Sequence, residues 1–138
     1  MAGHKPVAVD ELYIEISRAL SNEVAEIEES IDIAANIATK NLLSAIREDS
    51  PVKTGEYKKG WKRKKLKHSF VVYNSKKAGL THLLEFGHKI AGGTKEVKGI
   101  PHIKKNEEKA VERFEEMCVA IVAEGVRLKK SDIPTYTE

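Results

Sequence analysis

Cysteine is nearly missing from this chain: of its 138 residues, only Cys118 carries a thiol. An intramolecular disulfide is therefore excluded, and so is a cysteine metal cluster within one subunit. A reducing site of synthesis fits this. No apolar run approaches the length that spans a bilayer. The stretch Met1-Ala-Gly-His-Lys-Pro has none of the apolar core of a signal peptide. The expectation is a protein made in the cytoplasm, with no membrane partner. Internal repeats and low-complexity segments are absent, as are two reactive signatures. No serine sits in a G-x-S-x-G elbow, and Gly92-Gly93-Thr94-Lys95 lacks the spacing of a phosphate loop.

What is present suits one domain of moderate size. Such a chain buries roughly two-thirds of the surface it would expose unfolded, so it folds without staples. Charged residues make up 33% of it, which favours long solvated helices. The net charge of +3 hides an asymmetry. Between Asp10 and Asp49 acids dominate, with Glu11, Glu15, Glu23, Glu26, Glu28, Glu29, Asp32 and Glu48 among few bases. Lys58, Lys59, Lys62, Arg63, Lys64, Lys65 and Lys67 reverse the balance in the next stretch. A subunit with one acidic and one basic region attracts copies of itself or an oppositely charged partner.

The periodicity predicts α+β architecture: a long N-terminal helix and a C-terminal helix packed on a small antiparallel β-sheet. Residues 1–9 read as a flexible arm, 10–130 as a single domain and 131–138 as a flexible tail. Asp10 is a candidate N-cap, and Ser21 a second one that would divide the first helix. Leu20, Val24, Ile27, Ile31, Ala34, Ala38, Leu42 and Ala45 form an apolar seam at steps of three and four. Pro51 ends that helix. Pro51 to Gly60 is a connector. Trp61–Lys65 and Phe70–Tyr73 then read as a hairpin, with the second strand apolar enough to be buried on both faces. Leu80–Phe86 reads as a short helix stopped by Gly87. Residues 90–99, with paired glycines, read as a loop or a slight hairpin. Lys104–Lys129 is the second long helix, with Val111, Phe114, Cys118, Ile121, Val122, Gly125 and Leu128 on its apolar side.

Few residues are candidates for chemistry. His82, Glu85 and His88 spell H-x-x-E-x-x-H, and imidazole with carboxylate can hold zinc. The histidines are six apart with Gly87 between them, whereas a helical zinc site needs them four apart, so no metal and no cofactor is expected. Cys118 on an apolar helix face is a small core residue rather than a nucleophile. The basic strip from Lys58 to Lys67 includes Trp61, and such a strip can track phosphates in a salt-sensitive, sequence-blind way. Its bland alternative is a solvated strand face, because alternation lets only some of the lysines share a side.

Three blocks carry a resemblance. Ser50-Pro51-Val52-Lys53-Thr54-Gly55-Glu56-Tyr57-Lys58-Lys59-Gly60-Trp61 is similar to the pattern sPVxTGxYxxGW of a family of tailed-phage neck proteins, named after the tenth gene product of a lambdoid Hong Kong coliphage. Tyr73-Asn74 followed by Leu80-Thr81-His82-Leu83-Leu84-Glu85-Phe86-Gly87-His88 resembles its vyN…LtHLLEfGH. Ile100-Pro101-His102-Ile103 resembles its rPHI block. The chain departs from the pattern at Lys104-Lys105-Asn106, where the family often has proline and alanine. The resemblance implies a non-enzymatic virion part: a head-tail joining or tail-completion (neck) subunit, synthesised in the bacterial host, of a phage or prophage. It implies a homo-oligomeric ring on the DNA channel, a hexamer or else a dodecamer, touching an adaptor, stopper, tail terminator or tail tube. Pro51, Thr54, Gly55, Gly60, Trp61, Glu85, Gly87, Pro101 and His102 would be the structural motif residues. Lys58, Lys59, Lys62, Arg63, Lys64, Lys65 and Lys67 are the candidates for touching a partner or the genomic DNA. The alternative is a basic nucleic-acid-binding module built on the same strip.

Overall fold

The apolar steps of three and four do produce a helix, and it is one unbroken rod. In the computed structural model, which describes residues 9–52, 55–90, 93 and 95–135, helix α1 runs Val9–Asp49. It passes straight through Ser21, so that serine caps nothing, and Val9 already lies inside the helix. At about 1.5 Å per residue this rod is about 60 Å long. Helix α2 (Glu56–Lys59) is a single turn set by Gly55, whose φ of 82° lies in the left-handed region. Strand β1 (Trp61–Lys65) and strand β2 (Phe70–Asn74) form the expected antiparallel hairpin, with Trp61 opposite Asn74 and Lys65 opposite Phe70. A 3₁₀ turn over Ala78–Leu80 leads into helix α3 (Thr81–Phe86). Residues 87–98 then make a second small ladder, strand β3 (Gly87–Lys89) against strand β4 (Glu96–Lys98). Helix α4 covers Lys104–Ala123, and a 3₁₀ turn at Lys130–Asp132 follows.

Two expectations need correcting. Helix α4 stops at Ala123, not Lys129. Gly125 adopts φ 73° and turns the chain back, so that the Val126 N–H reaches the Ala120 carbonyl and the Arg127 guanidinium donates to the Ile121 carbonyl. Gly125 and Leu128 therefore do not belong to its apolar face. Strand β2 is covered on one side only: Phe70, Val72 and Asn74 turn inward, while Val71 and Tyr73 are exposed. The α+β architecture is as expected, with its small antiparallel sheet structure formed as two separate two-stranded ladders.

The C-terminal half of α1 is the common support. It packs against α4 and also against both strands of the first hairpin. The core sits there, around Leu43, Ile46, Tyr57 and Trp61, with Leu42, Val72, Leu84 and Ile103 packed against it. Ala34 and Ala38 are fully or nearly fully buried, and their small side chains let a neighbouring element approach α1 closely. Because α4 has 20 residues against 41 in α1, it covers only part of the rod. The start of the predicted seam is consequently bare: Leu20 and Val24 are 62% and 52% exposed, while Ile27 and Ile31 are half-buried. No helix among the described residues is long and apolar enough to cross a membrane.

Candidate functional site

The three sequence blocks lie far apart along the chain and close on one another in space. Tyr57 and Trp61 come from the first, Asn74 and Glu85 from the second, and His102 from the third. All five are buried. The rings of Tyr57, Trp61 and His102 meet edge to face, with centroids 5.6, 5.5 and 6.2 Å apart. Such edge contacts suit the ring quadrupoles.

Hydrogen bonds thread the same cluster. The Trp61 indole N–H donates to Ser50 Oγ at 2.9 Å, and that hydroxyl donates to the Ile46 carbonyl, tying the end of α1 to β1. His102 Nδ1 lies 2.6 Å from the Ile100 carbonyl, which can only accept, so Nδ1 carries the proton. Nε2 of the same ring shares a hydrogen bond with the Tyr57 hydroxyl at 2.6 Å. Burial, and then the charge of Glu85, pushes the Tyr57 phenol up to about 12. Asn74 donates to the Tyr57 carbonyl at 2.7 Å and accepts the N–H groups of Lys76 and Lys77. Asn106 donates to the His102 carbonyl and to Asp49, joining α4 back to α1.

Glu85 has the most specific task. Its carboxylate, at the end of α3, accepts the backbone N–H groups of His102 and Ile103 at 2.8 Å each and that of Lys104 at 3.4 Å. The first turn of a helix leaves such donors without partners, and its dipole favours an anion there. Glu85 thus caps α4 from another element. Burial by itself would raise its pKa, but the three backbone hydrogen bonds, helped by His102, hold the carboxyl below its ordinary 4.5. A residue near the end of α3 thus sets the beginning of α4.

Glycines allow these close approaches. A Cβ on Gly60 would sit 2.4 Å from Asn74 Oδ1, and one on Gly99 would sit 2.3 Å from the Glu85 carbonyl oxygen. Gly87 combines φ 82° with a virtual Cβ 2.3 Å from the Val97 carbonyl oxygen. Gly87→Ala should therefore cost about 2 kcal/mol or more through strain and overpacking. Gly79→Ala, with nothing within 4 Å, should stay within about 0.5 kcal/mol in the same thermal melt. Equal melting points for the two variants would contradict this account.

Of the motif residues, Pro51 is half-buried at the end of α1, and Pro101 is exposed just before His102. Thr54, like Lys53, lies outside the described residues. Tyr57, Asn74, Gly99 and Asn106 were not among the residues singled out as structural, although they are central to the cluster. Tyr57 and Asn74 do appear as fixed letters in the family pattern, which is the signal that could have found them.

The basic strip is divided by the pleat of the hairpin. Arg63 turns inward, where it bonds Thr39 Oγ1 at 3.1 Å and lies over the Phe70 ring at 4.8 Å. This engagement within the chain sets it apart from the lysines as a partner contact. Lys62, Lys64, Lys65 and Lys67 are exposed, and Lys58 and Lys59 belong to α2. His82 and His88 are exposed while Glu85 is buried on backbone donors. Among the described residues no group of three histidine, cysteine or acidic side chains could hold a metal. Burial, and then Glu115, raises the Cys118 thiol above its ordinary value, which disfavours the thiolate.

A family model described as Bacteriophage HK97-gp10, putative tail-component, matches residues 14–87. That span includes the first block, the second block as far as Gly87, and most of α1. No curated protein and no solved structure matches the chain.

Proposed function

Since the chain belongs to the HK97-gp10 tail-component family, a family of phage structural tail proteins that act with other tail proteins, we propose that it is a head-tail joining or tail-completion subunit. In this reading it works without catalysis, as one member of a homo-oligomeric ring at the neck of the virion, around the DNA channel. The carrying observation is where the motif residues go. Ser50, Tyr57, Trp61, Asn74, Glu85 and His102 are buried in one network that locks α1, the first hairpin, α3 and α4 together. Residues buried in mutual hydrogen bonds and ring contacts, and so spent on rigidity, suit a building block rather than a reaction centre. A rigid block with exposed, unlike surfaces is what ring assembly needs.

The exposed lysines of the hairpin favour a second role, sequence-blind contact with DNA in the channel. Size-exclusion chromatography with light scattering separates these readings from a simple DNA-binding module. A species near six times the 15.4 kDa chain mass, formed alone or with a neighbouring tail protein, is the expected result. A strict monomer with tight DNA binding that weakens steeply with salt would replace the ring reading with the nucleic-acid module.

A further inference from the structure

The ring reading does not say which surfaces join, and the shape of the chain offers two that match. The first is the overhang of α1. Between residues 9 and 22 every side chain is exposed except the half-buried Ser17. Leu12, Ile16 and Leu20, spaced by four, form an apolar ridge that is 46%, 50% and 62% exposed. Acids flank it: residues 9–29 hold seven carboxylates against the single base Arg18. Glu23 and Glu26 of that set hold Arg127 of the same chain, which leaves five.

The second surface is the outer face of the first hairpin. The register puts Lys62 opposite Tyr73 and Lys64 opposite Val71. All four are exposed, so two apolar side chains stand beside two cations on one face. Residues 58–67 carry seven bases and no acid. The two surfaces are complementary twice over, apolar against apolar and acid against base.

They cannot meet within one molecule. The inner face of the hairpin lies on α1 at Asn36 and Thr39, through Arg63, so its outer face is turned away from that helix. Leu12 also lies about 36 Å along the axis from Asn36 at about 1.5 Å per residue. We infer that the N-terminal overhang of α1 docks on the outer face of the β1–β2 hairpin of a second copy of this chain. The contact is head-to-tail, the kind that closes into a ring when the rotation between copies allows. It deepens the ring reading and rests on it.

Charge reversal in the full-length chain tests this. E11K with E15K makes the overhang basic; K62E with K64E makes the hairpin face acidic. Each double variant alone should raise the concentration midpoint of assembly by about tenfold or more at low salt, with helix content unchanged by circular dichroism. Mixing the two variants, or placing all four changes in one chain, should restore assembly, because opposite charges face each other again. In a C118S background, chains carrying I16C and chains carrying V71C should form a disulfide-linked dimer on mixing. If the wild type assembles and the variants do so equally well, or if I16C cross-links to V119C on α4 rather than to V71C, the docking is wrong and the ring reading stands. A wild type that stays monomeric at every concentration, both alone and with a neighbouring tail protein, overturns both.

Discussion

Replacing Glu85 with glutamine should destabilise the protein by about 3 kcal/mol, since it removes a buried charge-assisted acceptor from three backbone donors. The side chain keeps its shape, so the loss is electrostatic. One amide oxygen cannot serve His102, Ile103 and Lys104, and the amide NH₂ would point at donors. The start of α4 should fray, and with it the seat of His102. Chemical denaturation at neutral pH would show the lowered midpoint; an unchanged midpoint would mean that the cap contributes nothing net. The pH dependence carries the same signature. The folded carboxyl is held below 4.5, so its contribution is fully present well above that value. It disappears as the pH falls through the lower, folded value. Wild type should therefore lose stability on acidification in that window, and E85Q should lose less. Parallel profiles would assign the acid sensitivity to another carboxylate, with Asp49 the next candidate. Its carboxyl is lowered by its hydrogen bonds to Asn106 and Lys105, and then by the charges of Lys105 and Lys109.

Trp61→Ala should be more damaging, at about 3–5 kcal/mol for emptying a large aromatic site in a packed core. Trp61 is 4% exposed and touches the core of Leu43, Ile46 and Tyr57 while anchoring Ser50 through its N–H. Since domains are stable by only about 5–15 kcal/mol, this variant should be largely unfolded at moderate temperature. Trp61→Phe keeps most of the apolar contact and loses the indole donor, so it should fall between wild type and alanine. Melting curves followed by circular dichroism give the order. Because Trp61 is the only tryptophan, its fluorescence in wild type also reports unfolding of this cluster directly. An alanine variant melting within a few degrees of wild type would show that the cluster does not hold the fold together.

Much of the fold was legible beforehand. The hairpin Trp61–Lys65 with Phe70–Tyr73 (one residue short of the observed strand), the short helix before Gly87 and the start of α4 at Lys104 follow from β-branched and aromatic content, glycine positions and helical spacing. The end of α4 was not, because Val126 and Leu128 continue an apolar pattern past Gly125; only the φ of 73° at that glycine breaks it. Neither was the one-sided burial of β2, since Phe70-Val-Val-Tyr is equally apolar on both sides and only the placement of α1 chooses between them.

The site divides the same way. The family pattern marked Trp61, Glu85, Gly87 and His102 as positions that matter, but gave them no partners. Helical periodicity, turn chemistry and charge runs depend on neighbours within a few residues, so the chain alone dictates its elements, its acidic rod and its basic strip. The Glu85 cap on α4 joins residues 17 to 19 positions apart, and the Tyr57–His102 hydrogen bond joins residues 45 apart. Those pairings exist only once α1 has brought the blocks together, because no local rule records which buried donor will find which acceptor. The bare half of α1 has the same origin. The seam from Leu20 onward is continuous in the sequence, and only the shortness of α4 in the folded chain leaves its first positions, Leu20 and Val24, uncovered.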